Sequence, residues 1–378
     1  MKQFIYADNA ATTKLDIDAF EEMKPYLLED YANASQPYFF SLKAKRALKE
    51  ARETIASCIG AKPEEIYFTS GGTESDNWAI KSFGLPSDVR VVLTSEIEHH
   101  AVLNACKDAV RLSVDTNGIV PLNELEAAFD LVEYPASSNL STLVSVMLVN
   151  NEIGTIEPIK ELAAIAHQHG AYFHTDAVQA VGHIPIDVDD LGVDMLSASA
   201  HKFNGPKGVG FLYIREGTRI HSLLDGGAQE RQIRAGTENV AGVVGMAVAL
   251  KKNCDMICHT EAKLKKLEKA LLATLKQAGV DYIRNGAEYH VPGNINISIR
   301  GAKGEMLLHR LDLMGICIST GSACDSVDTQ VSHVIKAVGV PKEYADGTIR
   351  ISFGRDNTEA EAEKIAEAIV KILSVNRV

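Results

Sequence analysis

Residues 197–210 read SASAHKFNGPKGVG, and this stretch lies between two apolar runs that are predicted to be core strands. An apolar run, Val193 to Leu196, comes before it and is typical of the end of a buried strand. A second apolar run, Val209 to Ile214, follows it, so a glycine-rich turn joins two predicted core strands. Lys202 lies just after the first strand, where its ammonium group is poorly placed for solvation.

The position of Lys202 predicts unusual chemistry for its amine. Partial desolvation disfavours the charged form, so we expect a lowered pKa and a nucleophilic neutral amine. Such an amine can form a Schiff base with pyridoxal phosphate (PLP). The alternative is an ordinary surface lysine in a β-turn, and this stretch alone does not decide between the two.

Length and composition narrow the class of protein. With 378 residues, the chain is long enough for two domains. A formal net charge of -12 argues against nucleic acid or an anionic membrane surface as a direct partner. The start of the chain lacks the apolar core of a signal peptide, and no apolar run approaches bilayer length. Six scattered cysteines without framework spacing fit reduced thiols, so we expect a cytoplasmic protein.

Short apolar strands alternate with helices through the first two thirds of the chain. This pattern predicts an α/β fold with a mostly parallel sheet covered on both faces. Ligands in such sheets bind beyond the carboxyl ends of the strands. That rule selects three polar segments, each directly after a predicted strand. They are Asn150 to Gly154, Asp176 to Gln179, and Ser199 to Lys202.

A strand, a glycine turn and a helix start follow one another at residues 66–77, IYFTSGGTESDN. Free backbone N–H groups and the helix dipole at such a turn favour an anion, so Gly72 and Thr73 are predicted to hold a phosphate. The alternative is a plain helix cap made by Thr73 with Asp76 nearby. Asp176, on a buried strand end, needs a cationic partner, and a protonated pyridine nitrogen would supply it. The alternative for Asp176 is a structural turn cap.

The second part of the chain differs in character. Residues 225–239 are polar and glycine-punctuated, which is typical of a functional loop. A long helix is predicted from Glu261 to Ala278, and a domain boundary near its start. We therefore predict a large domain of residues 16–258 and a smaller α+β domain formed by residues 1–15 and 259–378. A capping box, Thr358 and Glu361, is predicted to open the last helix.

Two residues of the smaller domain are candidate site residues. Cys324 lies in a loop of small residues, which favours a reactive thiol over a packed one. Arg350, on a predicted strand, is suited to hold a carboxylate bidentately, or alternatively to pair with a nearby Asp or Glu. Histidines and cysteines elsewhere, such as His167 and Cys254, lack further ligands at zinc spacing, so no metal site is predicted.

Nine ordered blocks now give the chain a resemblance to a known family over nearly its whole length. It resembles the PLP-dependent cysteine desulfurases (NifS/IscS-like) of the class V aminotransferase family. The blocks are 6–13, 69–77, 98–99, 150–154, 176–179, 199–208, 229–237, 321–324 and 349–352. The resemblance implies the type I fold of PLP-dependent transferases, a homodimer, and conversion of L-cysteine to L-alanine. It also implies a sulfur-acceptor protein, of the scaffold type used in iron–sulfur cluster assembly or of the tRNA-thiolation type.

The same resemblance implies roles for single residues. Lys202 would carry PLP, Asp176 would pair with the pyridine nitrogen, and His99 would stack on the ring and assist proton transfer. Cys324 would take up sulfur as a persulfide. The remaining roles are cofactor and substrate contacts. Gln179 would bind the ring hydroxyl, Gly72, Thr73, Ser199 and His201 the phosphate, Thr237 the phosphate of the other subunit, and Asn151 and Arg350 the substrate carboxylate.

The chain departs from the family pattern at three positions. Tyr38 stands where histidine is usual, and Ser41 stands where glycine is usual, near the mouth of the family's active site. Asp325 follows the cysteine and would tend to raise the pKa of that thiol. A related class V enzyme, a selenocysteine lyase or an aminotransferase, is the alternative function. Cys324 argues against transamination, which needs no thiol, but it does not separate cysteine from selenocysteine.

Overall fold

A computed structural model describes residues 4–132, 140–320 and 331–375 of the chain. Within these ranges twelve helices and twelve strands are numbered in chain order. The strands are β1 (Ile5–Tyr6), β2 (Ile66–Thr69), β3 (Val89–Ser95), β4 (Val110–Leu112), β5 (Leu140–Ser145), β6 (Tyr172–Asp176), β7 (Met195–Ser199), β8 (Gly210–Ile214), β9 (Tyr282–Asn285), β10 (Asn294–Ile299), β11 (Ile316–Cys317) and β12 (Thr348–Ser352).

The helices alternate with these strands through most of the chain. They are α1 (Ile17–Leu28), α2 (Leu42–Ile59), α3 (Gly72–Ser82), α4 (His100–Leu103), α5 (Leu122–Asp130), α6 (Ile159–Gln168), α7 (Val188–Leu191), α8 (Val240–Gln277), α9 (Gly304–Leu313), α10 (His333–Ala337), α11 (Lys342–Ala345) and α12 (Glu359–Val375). Among the described residues, no helix is long and apolar enough to cross a membrane.

The larger sheet has seven strands in the order β2-β8-β7-β6-β5-β3-β4. Strands β3 to β7 pair in parallel, whereas β8 pairs antiparallel with both β7 and β2. The mostly parallel α/β sheet predicted from the sequence is therefore confirmed. Buried residues from this sheet and the helices on its faces form one core, with Phe173, Leu196 and Phe211 fully buried.

A second core surrounds a three-stranded antiparallel sheet of order β12-β10-β9. Helices α9 and α12 contribute to it, and so does the N-terminal strand β1, which pairs in parallel with β11. Helix α12 opens with the predicted capping box. The Glu361 carboxylate accepts from the Thr358 N–H at 2.9 Å, and the Thr358 hydroxyl accepts from the Glu361 N–H at 3.3 Å.

Helix α8 is 21 residues longer at its N-terminus than the predicted helix, which began at Glu261. Asn239 caps it by accepting from the Gly242 N–H, and the helix then continues without a break to Gln277. Its first half packs in the core of the large sheet, and its second half packs in the core of the small sheet. The predicted division between residues 258 and 259 thus falls inside a continuous helix, and the two-domain division stays a prediction.

A buried ion pair fixes the polar loop of residues 225–239. Glu230, Arg231 and Gln232 have left-handed φ angles of 42°, 56° and 71°, which side chains rarely adopt. The Arg52 guanidinium donates two hydrogen bonds to the Glu230 carboxylate, at 2.9 and 2.7 Å. The same carboxylate accepts from the Phe68 N–H at 3.0 Å, and the Arg231 guanidinium contacts the Ile66 carbonyl oxygen and the Tyr67 ring, so the loop is joined to β2.

Replacing Arg52 with alanine should lower the free energy of unfolding by about 3 kcal/mol, because it leaves the Glu230 carboxylate buried without its cation. Urea unfolding followed by circular dichroism measures this change. Lys62→Ala is the matched control, since its pair with Glu216 is exposed and is worth at most about 1 kcal/mol. Equal losses in the two variants would contradict the role given to the buried pair.

Candidate active site

The carboxyl ends of β5, β6 and β7 lie side by side, because β6 is between the other two strands in the sheet. Asp176 is the last residue of β6, and Ser199 is the last residue of β7. Lys202 follows on a short 3-10 turn, Ala200–Lys202. Two of the three segments selected by the strand-end rule therefore start directly at neighbouring strand ends. Four residues separate the third segment, Asn150 to Gly154, from the end of β5 at Ser145.

The amine of Lys202 faces the N-terminal arm of the chain, residues 8–13. Its Nζ donates to the carbonyl oxygens of Ala10 at 2.5 Å and Ala11 at 3.0 Å. The side chain of Gln179 donates to the same Ala10 oxygen at 2.8 Å. Lys202 is half-buried, so the reading as an ordinary surface lysine does not fit. The arm brings Lys202 and Gln179 to one place.

Asp176 and His99 interact electrostatically with Lys202. Burial raises the pKa of Asp176, and the nearby charges of His99 and Lys202 oppose that rise. The Asp176 Oδ1 accepts from the Val178 N–H at 2.9 Å. Burial also lowers the pKa of His99, which favours its neutral ring. His99 Nδ1 accepts from the Ala101 N–H at 3.1 Å, so the neutral ring carries its proton on Nε2.

The glycine turn packs closely against both neighbouring strand ends. A Cβ on Gly72 would lie 2.6 Å from the Val178 Cγ2, and a Cβ on Gly71 would lie 3.4 Å from the Ser199 Oγ. Only glycine fits so tight a contact at Gly72. Helix α3 begins here without a side-chain cap, so the alternative of a Thr73 cap with Asp76 nearby is wrong. Thr73 is exposed in the first turn, where backbone N–H groups point out of the helix.

His201, the residue before Lys202, contacts the N-terminal arm. Its Nδ1 lies 3.1 Å from the Thr12 Oγ1, and its backbone oxygen accepts from the N–H and the hydroxyl of Thr13. Burial, with the charge of Lys202, lowers the pKa of His201 to about 4. The ring is therefore neutral near pH 7 and able to donate one hydrogen bond or accept one.

Arg350 and Asn151 lie together, on β12 and after β5. The Arg350 Nη1 donates to the backbone oxygen of Asn151 at 2.8 Å, and its Nη2 donates to the Asp8 carboxylate at 2.8 Å. Pairing with an Asp was the alternative reading of Arg350, and this contact is present. The buried Nε has no hydrogen-bond partner among the described residues, so the guanidinium retains a donor.

The described part of the chain does not bring two predicted site residues, Thr237 and Cys324, to this cluster. Thr237 is exposed on the surface of the monomer. Cys324 and Asp325 lie outside the described residues. Of the two other departures, Tyr38 is half exposed, and Ser41 is buried with its hydroxyl donating to the Gln36 and Tyr38 carbonyl oxygens at 2.6 and 2.7 Å.

The histidines set aside as metal ligands have structural contacts. His167 Nε2 lies 2.9 Å from the Asp194 carboxylate, and the His169 ring stacks on Phe129 at 4.1 Å between centroids. Within residues 4–132, 140–320 and 331–375, no group of three or more His, Cys, Asp or Glu side chains is placed to hold a metal ion.

The residues present fit PLP. A buried acid at Asp176 suits a protonated ring nitrogen, and an amine at Lys202 lies near enough to act on it electrostatically. The close contact of Gly72 with Val178 brings the start of α3 beside Asp176, where its free N–H groups suit a phosphate. Sequence reasoning missed the backbone oxygens of Ala10 and Ala11, because no side-chain pattern marks a carbonyl.

Known proteins resemble this chain over nearly its whole length. The class V aminotransferase family matches residues 5–365. The cysteine desulfurase IscS of Dictyoglomus turgidum is 45% identical over 383 residues, covering 99% of this chain and 95% of that protein. A solved NifS-like protein superposes with a TM-score of 0.89 at 37% identity, covering 99% of this chain and 100% of the other.

A further solved structure, described as SspA in complex with cysteine, superposes with a TM-score of 0.78 at 34% identity. It covers 92% of this chain and 98% of the other. These likenesses extend over nearly the full length of this chain and of each relative. The chain therefore belongs to the class V aminotransferase family of PLP-dependent enzymes and, within it, to the cysteine desulfurases.

Proposed function

We propose that this chain converts L-cysteine to L-alanine and transfers the sulfur atom to Cys324. One observation carries the proposal: the charges of Lys202, Asp176 and His99 interact electrostatically within one site. Asp176 is buried there, and the other two residues are half-buried. In the overall change, the C–S bond of the substrate breaks and an S–S bond forms on Cys324. Cysteine plus the Cys324 thiol gives alanine plus the Cys324 persulfide, so atoms and electrons balance.

PLP, when bound, supplies an electron sink for the bonds around the substrate α-carbon. Lys202 would bind the cofactor through its amine, and Asp176 would hold the pyridine nitrogen. Gln179 would orient the ring hydroxyl. The phosphate would be held by the N–H groups that follow Gly71 together with three side chains. Those side chains are Thr73, Ser199 and His201.

His99 is suited to position the ring and to handle a proton at one defined atom. Its Nδ1 is occupied by the Ala101 N–H, so the exchangeable proton of the neutral ring is on Nε2. Burial keeps that ring neutral near pH 7. The Nε2–H is therefore a donor in the resting site. Accepting a proton at Nε2 would require the ring to release the Ala101 contact first.

The substrate carboxylate would be held by Arg350 and Asn151. Arg350 is buried and already oriented by the Asn151 oxygen and the Asp8 carboxylate, so little side-chain entropy is lost on binding. Its Nε–H is buried and lacks a partner in the described chain, so a carboxylate that reached it would supply the missing acceptor. The side-chain amide of Asn151 would add a second donor.

Arg350→Ala should raise the KM for L-cysteine about 100-fold, because a charged hydrogen-bonded pair is lost and Asp8 is left unpaired. Steady-state alanine formation measures kcat and KM separately. Arg300→Ala, in an exposed pair with Asp281 and Glu343, is the matched control and should leave KM unchanged. An unchanged KM in Arg350→Ala would remove Arg350 from the substrate site.

We also propose a homodimer. Thr237 is exposed in one protomer and would contact the phosphate bound by its partner. Apolar side chains are exposed over a short part of the chain, and burying them against a second copy would remove them from water. They are Ile17, Leu27, Leu28, Tyr31, Tyr38 and Phe39. The persulfide sulfur would then pass to an acceptor protein of the scaffold or tRNA-thiolation type.

A cytoplasmic location fits this chemistry. Five of the six cysteines lie in the described chain, and all five are free thiols. A reducing compartment keeps such thiols reduced.

The proposed function is tested by product analysis with the PLP-loaded protein. Equimolar alanine and sulfide should form from L-cysteine in the presence of a reductant. A transaminase would instead give the keto acid without sulfide release. A competition experiment tests the remaining alternative, a selenocysteine lyase. With cysteine and selenocysteine at equal concentration, a selenocysteine lyase would consume selenocysteine and leave cysteine intact. Absence of alanine from cysteine would overturn the proposal.

A further inference from the structure

A network of buried polar side chains lies beneath Asp176 and has no part in the function proposed above. Ser197 is the direct neighbour of Asp176 across β6 and β7. His174 is two residues earlier on β6, so it lies on the same face of the sheet as Asp176. Asp76, from helix α3, interacts with this group. All four side chains are at most 5% exposed.

The contacts of the network form a chain. The His174 ring lies between two hydroxyls, with Nδ1 2.9 Å from the Ser145 Oγ and Nε2 2.9 Å from the Ser197 Oγ. His174 Nε2 is 3.7 Å from the Asp76 Oδ1. Complete burial lowers the pKa of His174 to about 3, so its ring is neutral and cannot neutralise a charge on Asp76.

The surroundings of Asp76 oppose an ionised carboxylate. Its Oδ1 is buried and has no hydrogen-bond partner among the described residues. Burial raises the pKa of Asp76 well above its ordinary value, and the neighbouring carboxyls of Asp176 and Glu98 raise it further. A buried charge without a cation is strongly unfavourable. Asp176 differs, since Lys202 and His99 both lower its pKa.

We propose that Asp76 is a positioning residue for Asp176, a neutral acid packed against His174, which in turn holds the end of β6 to β7 through Ser197. Asp176 then carries the negative charge for the cofactor ring nitrogen without repulsion from a second carboxylate. Helix α3 gives the arrangement its rigidity, because the same helix starts at Gly72 beside the predicted phosphate site. The inference rests on the proposed function, since it takes Asp176 as the partner of PLP.

The test is the affinity of the apoenzyme for PLP, measured by fluorescence titration, together with the melting temperature of the apoenzyme. Asp76→Ala should raise the dissociation constant of PLP about tenfold, because it removes the carboxyl packed against His174 and so loosens the contact of His174 with Ser197. Asp76→Asn, neutral and of the same shape, should restore wild-type affinity to within about twofold. Ser197→Ala should also weaken PLP binding. It replaces Asp76→Ala as the test variant if Asp76→Ala does not fold.

A matched control separates positioning from general destabilisation. Glu157 is another buried carboxyl of raised pKa, about 8, outside this network. Glu157→Ala should lower the melting temperature without changing PLP affinity. If Asp76→Asn binds PLP as weakly as Asp76→Ala, Asp76 acts as a charged group and the inference is wrong. Unchanged affinity in both Asp76→Ala and Ser197→Ala would also overturn it. A wild type that fails to bind PLP would instead overturn the proposed function.

Discussion

Lys202→Ala should lower kcat/KM for L-cysteine at least about 10⁴-fold, because removal of a residue that bonds covalently to cofactor or substrate removes the main reaction route. The structure gives this lysine a defined environment. Its Nζ is held by the carbonyl oxygens of Ala10 and Ala11, and the buried Asp176 lies within electrostatic range. Lys202 follows the end of β7 directly, next to the end of β6 at Asp176.

Alanine formation measures the loss, and the cofactor gives an independent readout. Reduction of the wild-type holoenzyme with borohydride should fix PLP to the peptide containing Lys202, and mass spectrometry of a digest locates the label. Lys207→Ala is the matched control, since Lys207 is exposed five residues later in the same glycine-rich turn. A label on another peptide, or full activity in Lys202→Ala, would refute the assignment.

Cys324→Ala should lower sulfide release from L-cysteine at least about 10³-fold, since the substrate sulfur then has no thiol on the enzyme to receive it. The cofactor site, built from other parts of the chain, should still bind PLP. That combination distinguishes a lost sulfur acceptor from a damaged fold.

Two measurements check this expectation. Wild type treated with L-cysteine in the absence of reductant should carry one extra sulfur atom on the peptide containing Cys324, detected by mass spectrometry after alkylation. Cys258→Ala is the control, because Cys258 is an exposed thiol on α8, away from the strand ends. Alanine and sulfide formed at the wild-type rate by Cys324→Ala would exclude the thiol mechanism.

The sequence predicted that the segments of Asp176 and Lys202 follow strand ends of one sheet, but it did not predict the path of the chain around them. The rule that ligands lie beyond the carboxyl ends of parallel strands selected Asp176 and Lys202, and those strand ends are adjacent in the sheet. The rule works because the carboxyl end of a strand, and the residues that follow it, can be identified from the local sequence. Strand order is not local, and the antiparallel pairing of β8 with β2 and β7 depends on contacts between residues far apart in sequence.

Two features show where sequence reasoning fails. Helix α8 starts at Val240, because Asn239 caps its first turn. The residues that follow are apolar on more than one side and are buried in the core of the large sheet, so they lack the amphipathic pattern that marks a helix in sequence. Asp76 looked like part of a helix cap, yet it is buried on the side of α3 that meets β6 and β7. Which face of a helix is covered depends on tertiary packing, and a single polar residue does not reveal it.

The N-terminal arm has a practical consequence for mutagenesis. Its contacts with Lys202 and Gln179 are made by the main-chain oxygens of Ala10 and Ala11. An alanine scan would pass over both positions, because both residues are already alanine. Stepwise shortening of the polypeptide from its first residue, or a protease cut before Thr12, would instead remove the contacts and reveal what the arm contributes.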